Sequence, residues 1–445
     1  MLYSKGLIGK QIAILWYWLE WKSTLQFLLN HKIDSKNITV LDKNTDIKTP
    51  KNIKTITWIN YNTNLDKYDI IFKSAWIPIS KELKPQKKKI ITQIQFFFDN
   101  YKWKVIAITA SKWKSTITSL IYSLLINAWY NAKLVWNIWN PVLDEVDLDW
   151  KHDYVVVELS SYMLDTLKKK NFISVLWSIF PEHLDWHWNF QKYARAKLNI
   201  LKWSETNVIN YNTIKTFNLD NLYWKTISYW EKGLFGWKWN YFTENDLNIF
   251  SNRDRILEWN HNLDNISAMI AVWFQLWISE KIIQKTIKTF EWLPHRMQKL
   301  WIFHWIEFID DAISTTPEST IQAIKTFWEK IDTILLWWTD RGYDFSELVK
   351  IIKKNWIKNI VLFPESGQKI LATFWTYKKQ LNIFETNSME RAVDFCIRNT
   401  TKWKICLLST ASPSYSIWKN FEEKWSLFQQ YIKNHKKSWW KQKNI

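Results

Sequence analysis

Ten short apolar runs alternate with helical periodicities along the chain: IAIL (12–15), ITVLD (38–42), YDIIFKS (68–74), VIAIT (105–109), YVVVEL (154–159), VLWSIF (175–180), NVIN (207–210), DTILL (332–336), NIVLF (359–363) and KICLLS (404–409). Such alternation packs as parallel sheets covered by helices, so the expected fold class is α/β. With 445 residues there is room for two or three cores.

Sheets of this kind turn on glycine, yet the chain has 6 glycines and 35 tryptophans, where ordinary glycine usage is about 7%. The tryptophans fall where turns and phosphate loops need a residue without a side chain. In ILWYWLEWKSTLQFLL (14–29), Trp16, Trp18 and Trp21 hold all three glycine positions of G-x-G-x-x-G, and Asp42 ends the next strand where an acidic ribose-binding residue would stand. In ITASKWKSTITSL (108–120), Ser111, Lys112, Trp113, Lys114, Ser115 and Thr116 follow the pattern of a phosphate-binding loop, with Trp113 at its glycine. Trp139, Trp292, Trp337, Trp338 and Trp425 recur in similar settings, and none lies on an apolar stripe. Most of these tryptophans therefore read as glycines written through a reassigned codon, a change known in some bacterial lineages. The competing reading is a genuine tryptophan-rich surface.

Formal charge is +19, but only seven of the 61 basic residues are arginine and no basic stripe forms, so a nucleic-acid partner is not expected. Cys396 and Cys406 make neither a disulfide framework nor a metal cluster. No apolar run reaches membrane-spanning length and no signal segment follows Met1, so a soluble, cytoplasmic protein is expected.

Several residues suggest chemistry at the carboxyl edge of a sheet. Backbone N–H groups of the 110–116 loop would hold phosphates, Lys114 would neutralise them, and Ser115 would ligate Mg²⁺. Glu158 ends a strand as a candidate metal ligand, or as a partner for the cap formed by Ser160 and Ser161. His183 in FPEHLDWH follows the next strand, as a ligand or a structural histidine. Lys197 in YARAKLNI would by itself be an ordinary solvated lysine. Arg296 in LPHRM could reach phosphates or tie domains together, and Asp310 and Asp311 precede a Ser/Thr helix cap before Glu318.

Nine stretches, in order, resemble the Mur ligases: ITASKWKST, NIWNP, VELSSYMLD, EHLDWHWNFQKYARAK, NHNLDNISA, WLPHRM, DDAISTTPEST, LLWWTDRGYD and LLSTASPSYS with KNFEEKW. The resemblance covers essentially the whole chain and is greatest to members that add D-glutamate. It implies three domains: a Rossmann-like UDP-binding domain (1–97), a central ATP-binding domain with a P-loop ATPase-type parallel sheet (98–298), and a Rossmann-like amino-acid domain (299–445). It implies ATP and Mg²⁺ as cofactors, with Ser115, Glu158, His183 and a carbamylated Lys197 at the metals, and Lys114, Glu158, His183 and Lys197 in catalysis. Ser111, Lys112, Trp113, Lys114, Ser115, Thr116, Asn262, Asn265, Arg296 and Asp311 would bind ATP. Trp16, Trp18, Asp42, Asn137 and Ser160 would bind UDP-N-acetylmuramoyl-L-alanine, and Thr315, Arg341, Ser414 and Phe421 would hold D-glutamate. A monomer is expected. Three departures bear on the expectation: Ala110 replaces the loop's first glycine, Met163 a glutamine and Ile313 a lysine. A sibling ligase, a folylpolyglutamate synthase and a catalytically inert nucleotide-binding scaffold are the alternatives.

Overall fold

The computed structural model describes residues 6–443 except 16–18, 59–60, 136–140, 149, 169, 220–224, 231–232, 239, 258–259, 292, 294, 315, 338–343, 364–380 and 413–420. Two compact units are present, residues 1–290 and 291–445. The first holds two sheets. Strands β1 (Ile12–Leu15), β2 (Ile38–Asp42), β3 (Lys54–Thr57), β4 (Ile70–Lys73) and β5 (Ile90–Ile91) form a parallel sheet of order β3-β2-β1-β4-β5.

The second sheet has nine strands: β6 (Val105–Thr109), β7 (Ala132–Val135), β8 (Tyr154–Glu158), β9 (Ile173–Leu176), β10 (Thr206–Asn210), β11 (Thr226–Tyr229), β12 (Phe235–Lys238), β13 (Tyr241–Glu244) and β14 (Leu247–Ser251). Their order is β14-β13-β12-β11-β10-β9-β6-β8-β7, parallel as far as β12 and antiparallel beyond. Every residue of β6, β8, β9 and β10 is buried, which is why these strands read as unbroken apolar runs rather than alternations.

Unit 291–445 holds β15 (Gln298–Phe303), β16 (Ile306–Asp310), β17 (Ile331–Leu336), β18 (Asn359–Leu362), β19 (Asn382–Glu385) and β20 (Ile405–Leu408), ordered β15-β16-β20-β17-β18-β19. Only the β15–β16 pair is antiparallel. It is the hairpin expected over 299–310, closed by His304 and Trp305 at φ 50° and 66°, the two positive values of a type I′ turn.

One expected strand is displaced. VLWSIF (175–180) gives way to Ile173–Leu176, because the chain from Ser178 onward leaves the ladder to brace the 110–113 loop. The Ser111 N–H donates to the Ser178 carbonyl at 2.8 Å, and the Phe180 N–H donates to Ser111 Oγ at 2.8 Å.

The backbone also speaks on tryptophan. Among the described residues, eleven of the twenty-one non-glycine positions with positive φ are tryptophan, a conformation in which a bulky side chain is an outlier. Two of them close helices by the same pair of bonds. After Lys114–Asn127, the Trp129 N–H donates to Ile126 O and the Tyr130 N–H to Leu125 O, and after Ser346–Lys354 the Trp356 N–H donates to Lys353 O and the Ile357 N–H to Ile352 O. Both are Schellman caps, whose left-handed residue is usually glycine. Trp129 is 92% and Trp356 72% exposed, so neither gains burial in return. Replacing either by glycine is expected to stabilise its unit by about 1 kcal/mol, read as a higher denaturant midpoint at unchanged slope. A lower midpoint would mean that the indoles contribute to the native structure.

Candidate active site

The site is built on β6 and its two neighbours, β8 and β9. Register places Ile108 beside Glu158 and Thr109 beside Leu176, so the carboxyl ends of three parallel strands open at one edge, where α/β sheets bind ligands. From β6 the chain turns through residues 110–113 and enters the helix Lys114–Asn127, whose N-cap, Trp113, sits at φ 69°, ψ 6°.

Three amines meet this loop. Lys114 Nζ folds back onto the carbonyls of Ala110 (3.0 Å) and Ser111 (3.3 Å). Lys112 pairs with Glu182 at 2.6 Å. Lys197, expected as a solvated residue by itself, is instead fully buried and donates to Ala110 O at 2.7 Å and Thr109 Oγ1 at 3.3 Å. Burial, reinforced by the nearby Lys114 charge, drives the Lys197 amine well below its ordinary pKa, against the pull of Glu182 and Glu158. The charged ammonium is thereby disfavoured at the end of β6.

Glu182 belongs to the same cluster, and the sequence reading passed over it in favour of its neighbour His183. Burial raises its carboxyl, but Lys112 and Lys114 together outweigh that and hold it below the usual range. Tyr193 completes the brace: its hydroxyl lies 2.7 Å from Ser111 Oγ and 3.4 Å from Glu182. His183 is left-handed at φ 53° and caps the short helix Leu184–His187, with its ring 5.1 Å from that of Tyr162. Ser160 Oγ accepts the Met163 N–H at 3.3 Å, the capping role anticipated beside Glu158.

The loop's helix packs against Asn260–Trp273, which carries Asn262 and Asn265. Both are fully buried, and Asn265 Nδ2 donates to Asn262 Oδ1 at 3.1 Å. Among the described residues Asn265 Oδ1 is buried without a hydrogen-bond partner. Asp42 is buried at the end of β2 and accepts the Asn44 N–H at 2.7 Å.

A divalent cation bound to phosphates would suit this edge. The Glu158 carboxylate and the half-buried Ser115 hydroxyl at the helix start offer hard oxygen donors, and His183 offers an imidazole nitrogen. Among the described residues no group of three or more His, Cys, Asp or Glu side chains converges as a metal cage. The fit therefore depends on phosphate oxygens and on a carboxylate made at Lys197.

Unit 291–445 presents a second polar cluster. Asp311, fully buried, accepts from Ser409 Oγ at 2.7 Å and from the Met297 N–H at 3.2 Å, and burial pushes its carboxyl up to about 6 despite these bonds and the Arg296 charge. His295 Nδ1 meets Asp310 Oδ2 at 2.8 Å. The expected cap after Asp311 is present, with Thr316 and Ser319 forming a capping box at the helix Pro317–Phe327. Lys424, which no motif reading singled out, is fully buried here, its amine lowered to about 7 by burial in spite of Asp310 and Asp311. Trp16, Trp18, Asn137, Thr315, Arg341 and Ser414 lie outside the described residues, as does the side chain of Phe421.

Comparison with known proteins agrees with this architecture. The profile of the Mur ligase middle domain matches residues 108–272, from the end of β6 to the helix of Asn262 and Asn265. The UDP-N-acetylmuramoylalanine–D-glutamate ligase of Natranaerobius thermophilus is 26% identical over 90% of this chain and 91% of its own, and that of Acetivibrio thermocellus is 25% identical over 97% of each. Two solved structures share the fold: the UDP-N-acetylmuramate–alanine ligase of Thermotoga maritima (TM-score 0.63, 13% identity, 97% of this chain and 100% of that one) and a MurF ligase of Thermotoga maritima in complex with ADP (TM-score 0.61, 16% identity, 98% of each). A strand-to-helix loop at the carboxyl edge of a nine-stranded sheet thus lies in a segment, 108–272, that matches the Mur ligase middle domain, within a chain similar over most of its length to UDP-N-acetylmuramoylalanine–D-glutamate ligases.

Proposed function

We propose that the chain joins D-glutamate to UDP-N-acetylmuramoyl-L-alanine at the expense of ATP, through an acyl phosphate. The observation that carries the reading is the convergence of Lys114, Glu158 and Lys197 on the 110–113 loop in a chain similar along its length to D-glutamate ligases. We take 1–97, 98–298 and 299–445 as its domains, which gives each of the three sheets one domain. The first strand of the third sheet, β15, begins one residue before that last boundary, at Gln298.

Transfer of the γ-phosphoryl group to a carboxylate brings anions together, and the repulsion must be offset before reaction. N–H groups at the start of helix Lys114–Asn127 would point at the phosphates, and Lys114 would exchange its loop carbonyls for phosphate oxygens. Glu182 keeps Lys112 placed beside the loop, and the Tyr193 hydroxyl holds Ser111 of the loop at 2.7 Å. Mg²⁺, held by Ser115, Glu158, His183 and a carbamylated Lys197, would neutralise phosphate oxygens when bound. The amine of D-glutamate then attacks the acyl phosphate, forming the amide and releasing phosphate. Thr315, Arg341, Ser414 and Phe421 are our candidates for holding that amino acid, and Trp16, Trp18, Asp42, Asn137 and Ser160 for the nucleotide-sugar substrate. We place the activity in the cytoplasm, in a monomer; no helix of the described residues is long and apolar enough to cross a membrane.

An amino-acid panel tests the assignment. With UDP-N-acetylmuramoyl-L-alanine and ATP, D-glutamate is expected to give ADP, phosphate and a new nucleotide-linked product, while L-alanine and diamino acids give none. Turnover with one of the latter in place of D-glutamate would transfer the protein to a sibling activity.

A further inference from the structure

Three of the candidate metal ligands, Glu158, His183 and Lys197, come from three segments: the end of β8, the residue before the helix Leu184–His187, and the helix Phe190–Leu198. Their spacing is set by what packs between those segments. One residue meets all three. His187, 2% exposed, places its Nε2 3.0 Å from Ser161 Oγ, three residues beyond Glu158. Its backbone N–H donates to the His183 carbonyl at 3.0 Å. Its ring meets that of Tyr193 edge-on, with centroids 5.4 Å apart, one helical turn before Lys197, whose amine lies 5.1 Å from the centre of the same tyrosine ring.

Histidines at 183 and 187 have the i, i+4 spacing that on a regular helix sets two imidazoles on one face, as two ligands of one metal. The backbone separates them here. His183 is the left-handed N-cap at φ 53° and is exposed, while His187 is buried within the helix. Tyr162 lies against both, its ring 5.1 Å from that of His183 and stacked at 5.6 Å and 24° on that of His187. A phenylalanine at 187 could fill the same space without a polar atom to desolvate. What an imidazole adds is a directional bond to Ser161, the first residue of the helix Ser161–Leu164.

We propose that His187 is a positioning residue for the metal-dependent step, holding the Glu158, His183 and Lys197 segments in place through its bond to Ser161. The inference rests on the ligase reading above. It gives His187 no ligand role; it adds a residue that touches the ligand-bearing segments, of the kind whose loss weakens a metal site without removing a donor.

The test uses the full chain with glycine at its recoded positions. Ser161→Ala and His187→Phe each remove the bond, and His187→Gln returns a polar group to the place of Nε2. Mn²⁺, which electron paramagnetic resonance detects when free, is titrated in the presence of ADP, with metal-free ADP affinity and melting temperature measured beside it. Ser161→Ala and His187→Phe are each expected to weaken Mn²⁺ binding about ten-fold, and together no further than either alone. His187→Gln recovers part of the loss, and metal-free ADP affinity stays within about two-fold throughout. Unchanged Mn²⁺ affinity in folded Ser161→Ala and His187→Phe proteins overturns the inference, while continued formation of the D-glutamate product by the parent leaves the ligase reading intact. A loss confined to His187→Phe also overturns it, as do equal losses of Mn²⁺ and metal-free ADP affinity that track a lower melting temperature, because both describe a merely structural histidine. If the parent chain itself makes no D-glutamate product, the ligase reading fails and the inference falls with it.

Discussion

A chain carrying glycine at position 113 is expected to turn over ATP at least about 10³-fold faster than the same chain carrying tryptophan. Residue 113 precedes the first helical residue, Lys114, and holds φ 69°, so its peptide lies among those that must face the phosphates. A phosphate can approach these N–H groups only where no side chain stands between, and Trp113 is itself buried in the loop. The left-handed strain adds a smaller effect of about 1–2 kcal/mol; the main loss is of the transition-state donors. The measurement has two parts. The Val105–Leu120 peptide from protein made in its native host is weighed, and steady-state rates are compared for chains with Gly or Trp at 113, all other recoded positions being glycine. A glycine mass with an active glycine chain is the expected pair of results. A tryptophan mass would leave the phosphate site blocked and revive the inert scaffold.

The same positions show how far the sequence could be read. Nine of the ten expected strands are observed within one or two residues at either end, because fully buried parallel strands such as β6 and β8 announce themselves as continuous apolar runs. The tenth, at 175–180, ran past its end, since an apolar stretch does not reveal that Ser178 and Phe180 serve a loop rather than a ladder. The short antiparallel extension β12–β14 went unseen: its strands are brief and partly exposed, and the register break at Phe242 and Thr243 erases alternation. Phosphate-loop residues were legible because their spacing is dictated by backbone geometry. Glu182, Tyr193 and Lys424 were not, since what makes them notable is burial beside particular partners, and a carboxylate, a phenol or a helical lysine looks ordinary in one dimension. Lys197 lies between these cases, singled out by family resemblance while its own neighbourhood suggested only solvent.

Replacing Lys197 by either methionine or arginine is expected to cost about 10²–10³-fold in kcat, and the arginine result carries the argument. If Lys197 acted as a cation beside the phosphates, arginine would preserve much of the activity. The structure argues against a cation there: the amine is fully buried, bonded to Ala110 O and Thr109 Oγ1, and driven toward its neutral form by burial and by the Lys114 charge. A neutral amine can add to carbon dioxide, forming an N–C bond and releasing one proton, which exchanges a disfavoured positive charge for a negative one next to Lys114. Arginine stays protonated and offers no such route. The expected companions are a mass increase of one carbon dioxide on the 193–202 peptide under non-acidic handling, and a rate that falls when carbon dioxide is stripped from the buffer and returns with bicarbonate. An arginine variant that retains most of the parent rate would show that position 197 needs a positive charge, and the carbamate would have to be abandoned along with its place among the metal ligands.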